Sequence, residues 1–418
     1  MFSTQRQRLV SQLPPDAVAI LTANDIMPTN EDGTMRYVPN SNLYYLTGIK
    51  EDDAMLVLCP QHPEPSLREI LFIRRTDQLY VKWLGHRLDK AAATKISGID
   101  TVFFTDEYDV IMKKVIPLCR RIFLYSNEHA RSENETQTRE DRLLLDCRRK
   151  FPLHEYDRLY PLLGRQRMSK TPEEIALMRQ ACKVSGAGFR RLLKFIKPGK
   201  TGYQVAAEMI HEYMQHHTTW AGYEPIVAFG ADTCILHYRA NETAGKDGDL
   251  VLIDAAASQD LYNADLTRTI PVNGRYTARQ RAYYDAVLHV HHQVRQQVRA
   301  GIAMKEVWQA SNELILEALC QLGLCTPNDI RRNGEAFYLQ KYSYHNVSHF
   351  IGLDVHDPAW FHEPLPVGAV ITNEPGIYNA EEGIGIRIEN NLLVTINGCE
   401  DLMEDIPKEA EEIEELMN

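Results

Sequence analysis

Four carboxylates and a group of histidines in the second half of this 418-residue chain have the types and spacing to do chemistry. Asp254 ends the apolar run Leu250 to Ile253, and Asp265 stands in ADLTRT, where a second extended segment begins. If segments 250–255 and 265–271 pair as a hairpin, the two carboxylates meet. Carboxylates a few ångströms apart repel unless a proton or a cation neutralises them. His345, His349 and His356 fall within twelve residues, and imidazole is both a common metal ligand and a proton shuttle near neutral pH. Glu374 follows the run Ala369 to Thr372 and precedes a Pro-Gly turn. In GIGIRIEN, Arg387 and Glu389 alternate, so a single strand would present both on one face.

Four carboxylates and one imidazole make an oxygen-rich, moderately hard ligand set. Such a set suits Mn²⁺ and accepts Co²⁺, Fe²⁺ or Zn²⁺. Four carboxylates can bridge two metals about 3.5 Å apart, with a water or hydroxide between them. That centre would bring the pKa of water from about 15.7 towards about 7 and polarise a carbonyl. The residues alone therefore describe a two-metal hydrolase of unspecified substrate. Each piece by itself has an ordinary explanation: an Asp at a strand end is usually a turn residue, and a His in an apolar segment usually a core or surface side chain. The ordered set carries the case.

The elements that must hold these residues follow from pattern. In the first third, the apolar runs Ala17 to Leu21, Met55 to Leu58, Ile70 to Ile73, Val102 to Phe104 and Ile122 to Tyr125 read as buried strands of an α/β domain. The charged stretch 126–150 reads as solvated helix face or loop. A helix is predicted from Pro172, with Thr171 as cap, Glu174 closing a capping box, and Ile175, Met178, Cys182, Phe189 and Leu193 near one face. The domain boundary falls just before it, giving domains 1–165 and 166–418. Beyond it, helices are predicted from Tyr203 to His217, twice within 276–324, and in the acidic tail. Strands are predicted over 250–255, 265–271, 368–374 and 385–394.

Bulk properties narrow the function classes. A net charge of −11 argues against nucleic acid or an anionic membrane as partner. The eight cysteines form no CxxC pair and read as thiols of a reducing compartment. Without an apolar signal segment or a run of about 18 apolar residues, a cytoplasmic protein is the expectation.

The ordered motifs resemble the pita-bread metallopeptidases, and within them the Xaa-Pro aminopeptidase (aminopeptidase P) branch. The matching pieces are ILHY (235–238), DGDLVLID (247–254), ADLTRT (264–269), HNVSHFIGLDVHD (345–357), NEPGIY (373–378) and GIGIRIEN (383–390). NSNLYYLTGI (40–49) and WLGHRL (83–88) are similar to the amino-terminal domain of the same enzymes. The resemblance implies an α/β amino-terminal domain followed by a pita-bread catalytic domain. It implies two divalent metals, with Asp254 chelating one, Asp265 and Glu389 bridging both, and His349 and Glu374 holding the second. Glu374 would also handle the nucleophile's proton, as a metal-bridging hydroxide attacks the carbonyl between residue one and a following proline. His345 and His356 would bind substrate near the scissile amide, His237 would line the entrance, and Arg387 would orient a carboxylate ligand. Trp83 would be contributed to a neighbouring subunit's site, implying a homo-oligomer, dimer or tetramer. Ser348, before the metal histidine, favours an aminopeptidase over a proline dipeptidase, which more often carries Gly there.

Against the family pattern, Asn346 replaces a glycine, Asn373 an apolar residue and Ala256 a glycine, and Asn263-Ala264 precede Asp265. Asparagine tolerates a left-handed backbone, so the turn at 346 is expected to survive. The alternatives are a proline dipeptidase or creatinase-like hydrolase on this scaffold, and a binding module built on an inactive peptidase fold. The last two lose metal ligands, and this chain keeps all five. HEYMQHH, from His211, lacks the second His at i+4 that a zincin helix needs. His289, His291 and His292 are expected on a solvated helix face.

Overall fold

In the computed structural model the chain divides into two units, Met1–Gln166 and Arg167–Asn418. All residues are described except 133, 134, 217 and 219.

The first unit is built on a six-stranded mixed sheet. Its strands are β1 (Ala17–Thr22), β2 (Met55–Leu58), β3 (Glu69–Ile73), β4 (Thr101–Phe104), β5 (Arg121–Leu124) and β6 (Glu155–Arg158), in the order β4-β3-β2-β1-β5-β6. The first five are the apolar runs of the sequence. β1 is buried along its whole length, and Val18, Ile20, Val57, Ile70 and Phe72 form the core of one face. The sixth strand, EYDR, carries no apolar run because it is an exposed edge. Charged side chains there discourage pairing with another chain. The helix Ser41–Thr47 begins at Asn40, whose side chain accepts from the Asn42 and Leu43 amides, and stops at Gly48, where φ is +74°. Tyr44 and Tyr45 on it are buried core residues. A cleft of about 630 Å³ opens in this unit, but ion pairs already occupy its wall (Arg142 to Asp25, Arg139 to Asp53), and none of the candidate site residues lines it.

In the second unit the helix Pro172–Phe195 starts at the Thr171–Glu174 capping box and buries Met178, Cys182, Phe189 and Leu193. The next helix runs Gly202–Gln215; His217, where it was expected to end, lies outside the described residues. Strands β7 (Ile226–Phe229), β8 (Leu250–Asp254), β9 (Ser258–Gln259), β10 (Tyr262–Asn263) and β11 (Thr267–Pro271) follow. β8 sits between β11 and β7, and β9 pairs with β10. The long helices Ala278–Gln297 and Met304–Gln321 come next. The chain ends with β12 (Val370–Asn373), β13 (Gly376–Asn379), β14 (Ile384–Arg387), β15 (Asn390–Val394), β16 (Cys399–Asp401) and the helix Ala410–Met417. Among the described residues, no helix is long and apolar enough to cross a membrane.

Two expectations are corrected. GIGIRIEN is not one strand: β14 pairs with β13, β15 pairs with β12 and β16, and Glu389 lies in the break between them. The register continues across Pro375 and Ile388, but the ladder is interrupted at residues 388 and 389, which an alternating pattern does not reveal. His291 is not on a solvated face but fully buried, and burial holds its ring neutral. Its neighbours Val287, Val290 and Val294 share the helix's inward stripe.

Candidate metal centre

Three backbone registers assemble the cluster. The first joins β8 to β11 and β9 to β10. Thr267 pairs with Asp254 and Asn263 with Ser258, so one register runs unbroken to a tight turn where Asp260 and Leu261 take positive φ, as two-residue hairpin loops require. That register sets Asp265 opposite Ala256, two residues beyond Asp254. Because side chains alternate across a strand, Asp254, Asp265 and Thr267 share one face. The second register pairs Asn373 with Asn390 and Gly376 with Arg387. Between these pairs it sets Glu374 opposite Glu389. In the third, the segment at His349 runs along β12: the Thr372 amide donates to the His349 carbonyl and the Glu374 amide to the Val347 carbonyl.

The side chains then converge. Asp265, His349 and Glu389 each offer one ligand atom, all within 4.8 Å of one another. His349 Nε2 lies 3.5 Å from Asp265 Oδ2 and 3.4 Å from Glu374 Oε1. Its Nδ1 is 3.0 Å from the Phe350 carbonyl; donating there leaves Nε2 free to ligate. Arg387 donates to Asp254 Oδ2 at 2.6 Å and Thr267 to Glu389 Oε2 at 2.6 Å. The backbone of Asp265 is clamped by Asn391, whose side chain accepts from its amide and donates to its carbonyl.

Burial raises the Asp254 and Glu389 carboxyls above the usual range, Glu389 strongly, with neighbouring carboxylates adding to the effect. Glu374 is pushed up to about 7, first by burial, against the lowering by His349 and Arg387. Burial opposes charge on His349, but Asp265 and Glu374 outweigh it and raise its pKa. These groups fit a divalent cation. Glu389 Oε1 is buried without a hydrogen-bond partner among the described residues, and a buried acceptor in that state carries the full cost of desolvation. A cation among the carboxylates would satisfy that oxygen and relieve their mutual repulsion.

The remaining sequence-predicted residues fall as follows. His345 Nδ1 lies 3.6 Å from Glu374 Oε2, and its Nε2 lies 2.8 Å from the Tyr378 hydroxyl, which Arg387 also contacts at 3.1 Å. Burial lowers the His345 pKa to about 3, so the ring is neutral. His356 packs on His349 with ring centroids 4.4 Å apart. His237 is exposed. Trp83 belongs to the first unit, on the helix Gln78–Leu84, and is 80% exposed. Asn346 takes no positive φ, so the turn there does not call for the left-handed backbone that glycine favours. Asn373 is buried, donating to the His291 carbonyl.

A family model described as "Metallopeptidase family M24" matches residues 176–396, a span containing all five candidate ligands. The chain belongs to metallopeptidase family M24. A second model, "Aminopeptidase P, N-terminal domain", matches residues 2–123. A Xaa-Pro aminopeptidase of Haemophilus influenzae is 32% identical over 100% of this chain and 97% of its own length. The structure of Pseudomonas aeruginosa aminopeptidase PepP is similar at a TM-score of 0.89 and 33% identity, covering 100% of this chain and 97% of that one. Aminopeptidase P from Escherichia coli with the inhibitor Pro-Leu matches at 0.89 and 32%, with the same coverage. The fold is thus α/β, an aminopeptidase P-type amino-terminal domain followed by the pita-bread catalytic domain of family M24.

Sequence reasoning missed Tyr223. Its hydroxyl lies 2.6 Å from both Asp254 Oδ1 and Asp265 Oδ1, and one O–H can donate to only one of them at a time. Tyr223 stands ahead of β7 with no motif to mark it; only the packing of β7 on β8 brings it in. In Tyr223→Phe, metal affinity is expected to fall about 10- to 100-fold with folding intact, measured by calorimetric titration with Mn²⁺. Unaltered affinity would show that the hydroxyl does not support the two carboxylates.

Proposed function

We propose that the protein is a metal-dependent Xaa-Pro aminopeptidase, hydrolysing the amide between an N-terminal residue and a following proline. The observation that carries the reading is the convergence of Asp265, His349 and Glu389, with Glu374 beside His349 and Asp254 joined to Asp265 through Tyr223, around a Glu389 oxygen that has no hydrogen-bond partner among the described residues. Full-length similarity to proteins named Xaa-Pro aminopeptidase supports the substrate class. These five residues would hold two divalent cations, Mn²⁺ by preference for an oxygen-rich set. When bound, the cations would acidify a water and polarise the scissile carbonyl.

The chain's own residues do the rest. Glu374, beside His349 Nε2 at 3.4 Å, takes a proton from the nucleophilic water and returns it to the departing proline nitrogen. Arg387 and Tyr223 orient Asp254, and Thr267 orients Glu389. His345 and His356 flank the scissile amide, His345 held neutral by burial and fixed by Tyr378. His237 lines the approach, and Trp83 serves a neighbouring subunit's site in a homo-oligomer, dimer or tetramer. The first domain ends at residue 165 and the catalytic domain begins at 166. The protein works in the cytoplasm on peptides with proline second.

Comparing a Xaa-Pro dipeptide with a Xaa-Pro tripeptide or longer peptide tests this reading. The longer peptide is expected to be the better substrate by kcat/KM. Preference for the dipeptide would make the protein a proline dipeptidase instead.

A further inference from the structure

The turn from Phe350 to Asp357 joins His349 to His356, and a buried ion cluster closes it from behind. Asp357 Oδ1 accepts from Arg167 at 2.5 Å, and its Oδ2 accepts from Lys170 at 3.1 Å. All three side chains are at most 2% exposed. Arg167 also reaches Asp354 at 2.6 Å, so two cations meet two carboxylates. Asp357 ties the turn to itself as well: its amide donates to the Phe350 carbonyl, and its carboxylate accepts from the Asp354 amide at 3.1 Å. Gly352 makes room for this arrangement. A Cβ there would come within 2.6 Å of Asp357 Oδ2 and 3.0 Å of Lys170 Cε. Asn263, next along the Asp265 strand, holds the other side of the turn by donating to the Gly352 and Leu353 carbonyls.

Fully buried charges are costly, and well-packed apolar residues would stabilise a fold as well or better. Their presence beside His356 calls for a task that directional bonds perform and apolar contacts do not. We propose that Asp357, anchored by Arg167 and Lys170, is a positioning residue for the reaction, fixing the His356 ring against His349. The inference rests on the reading of His356 as a substrate-contacting group. Arg167 holds one oxygen of the Asp357 carboxylate and Lys170 the other, and the Asp357 amide is tied to Phe350, so the chain is fixed one residue beyond His356 and the ring is aimed from a fixed point. A misplacement of about 1 Å at such a group costs about a hundredfold in rate.

The test uses the full-length protein with Mn²⁺ and a Xaa-Pro tripeptide. Asp357→Asn is expected to lower kcat about 10- to 100-fold with a smaller change in KM. It is expected to add nothing further when His356 is already Ala. Losses that multiply in the double variant would show that Asp357 acts elsewhere and overturn the proposal. Lys170→Met, which keeps the Arg167 pair, serves the same cycle if Asp357→Asn does not fold. A crystal structure of the folded variant gives a readout independent of activity. His356 is expected to leave its packing on His349; a ring unmoved within about 0.5 Å would overturn the proposal. Absence of Xaa-Pro hydrolysis in the unaltered protein would instead remove the functional reading, and the structural arm would still decide the positioning role.

Discussion

Asp265→Ala is expected to abolish turnover, a loss of about a thousandfold or more, and to lower the metal content of the purified protein. The size follows from the role proposed for that carboxylate. Its Oδ1 meets the Tyr223 hydroxyl and its Oδ2 faces His349 Nε2, so it stands between both halves of the cluster. Losing a shared ligand forfeits several kcal/mol of stabilisation of developing charge, and about 4 kcal/mol corresponds to roughly three powers of ten in rate. The backbone should survive, since Asn391 holds residue 265 through its main chain and not its carboxylate. Elemental analysis alongside turnover of a Xaa-Pro tripeptide measures both effects. Full activity in this variant would remove the two-metal mechanism.

Stripped of metal, the protein is expected to lose stability as pH rises from about 5 to about 8. In the folded chain Glu374 holds its proton up to about 7, whereas its ordinary value is 4.5. Between these values the native state binds a proton that the unfolded chain has released, so stability falls with rising pH. Asp254 and Glu389 are shifted in the same direction, first by burial and then by neighbouring carboxylates, Asp265 for both. His349, raised above 6.5, contributes stability that is complete below that value and disappears as pH rises through its folded value. All four therefore act with one sign, and they outweigh His291 and His345, whose lowered values give the opposite slope up to about 6.5. Glu374 alone contributes on the order of 3 kcal/mol over the interval. Thermal unfolding of chelator-treated protein across this range measures it, and saturating Mn²⁺ is expected to remove the decline, since a cation favours the ionised carboxylates. A metal-free melting temperature that climbs with pH from 5 to 8 would contradict the burial of these groups as a repelling set.

Much of the fold was legible because its strands are buried on both faces. β1 to β5 each read as continuous apolar runs, while β6 did not, being a charged edge that neighbours' backbone alone recruits. The helix from Pro172 was legible down to its first residue, because a cap depends on local side-chain chemistry. His291 was misread because a helix face shows its direction only through its neighbours, and here Val287, Val290 and Val294 turn it inward.

For the site, sequence alone determined the inventory: four carboxylates and a cluster of histidines at strand ends, and hence an oxygen-rich metal set and hydrolytic chemistry. Those follow from residue type and order, which the chain carries locally. Tertiary structure decided the pairing. Asp254 meets Asp265 through one hairpin register, Glu374 faces Glu389 through another, and His349 reaches both only because its segment lies along β12. It also decided the supporting groups, Tyr223, Asn391 and the Arg167–Lys170–Asp357 cluster. Their contacts span tens to hundreds of residues, and no local pattern of charge or hydrophobicity records which distant partner a side chain will meet.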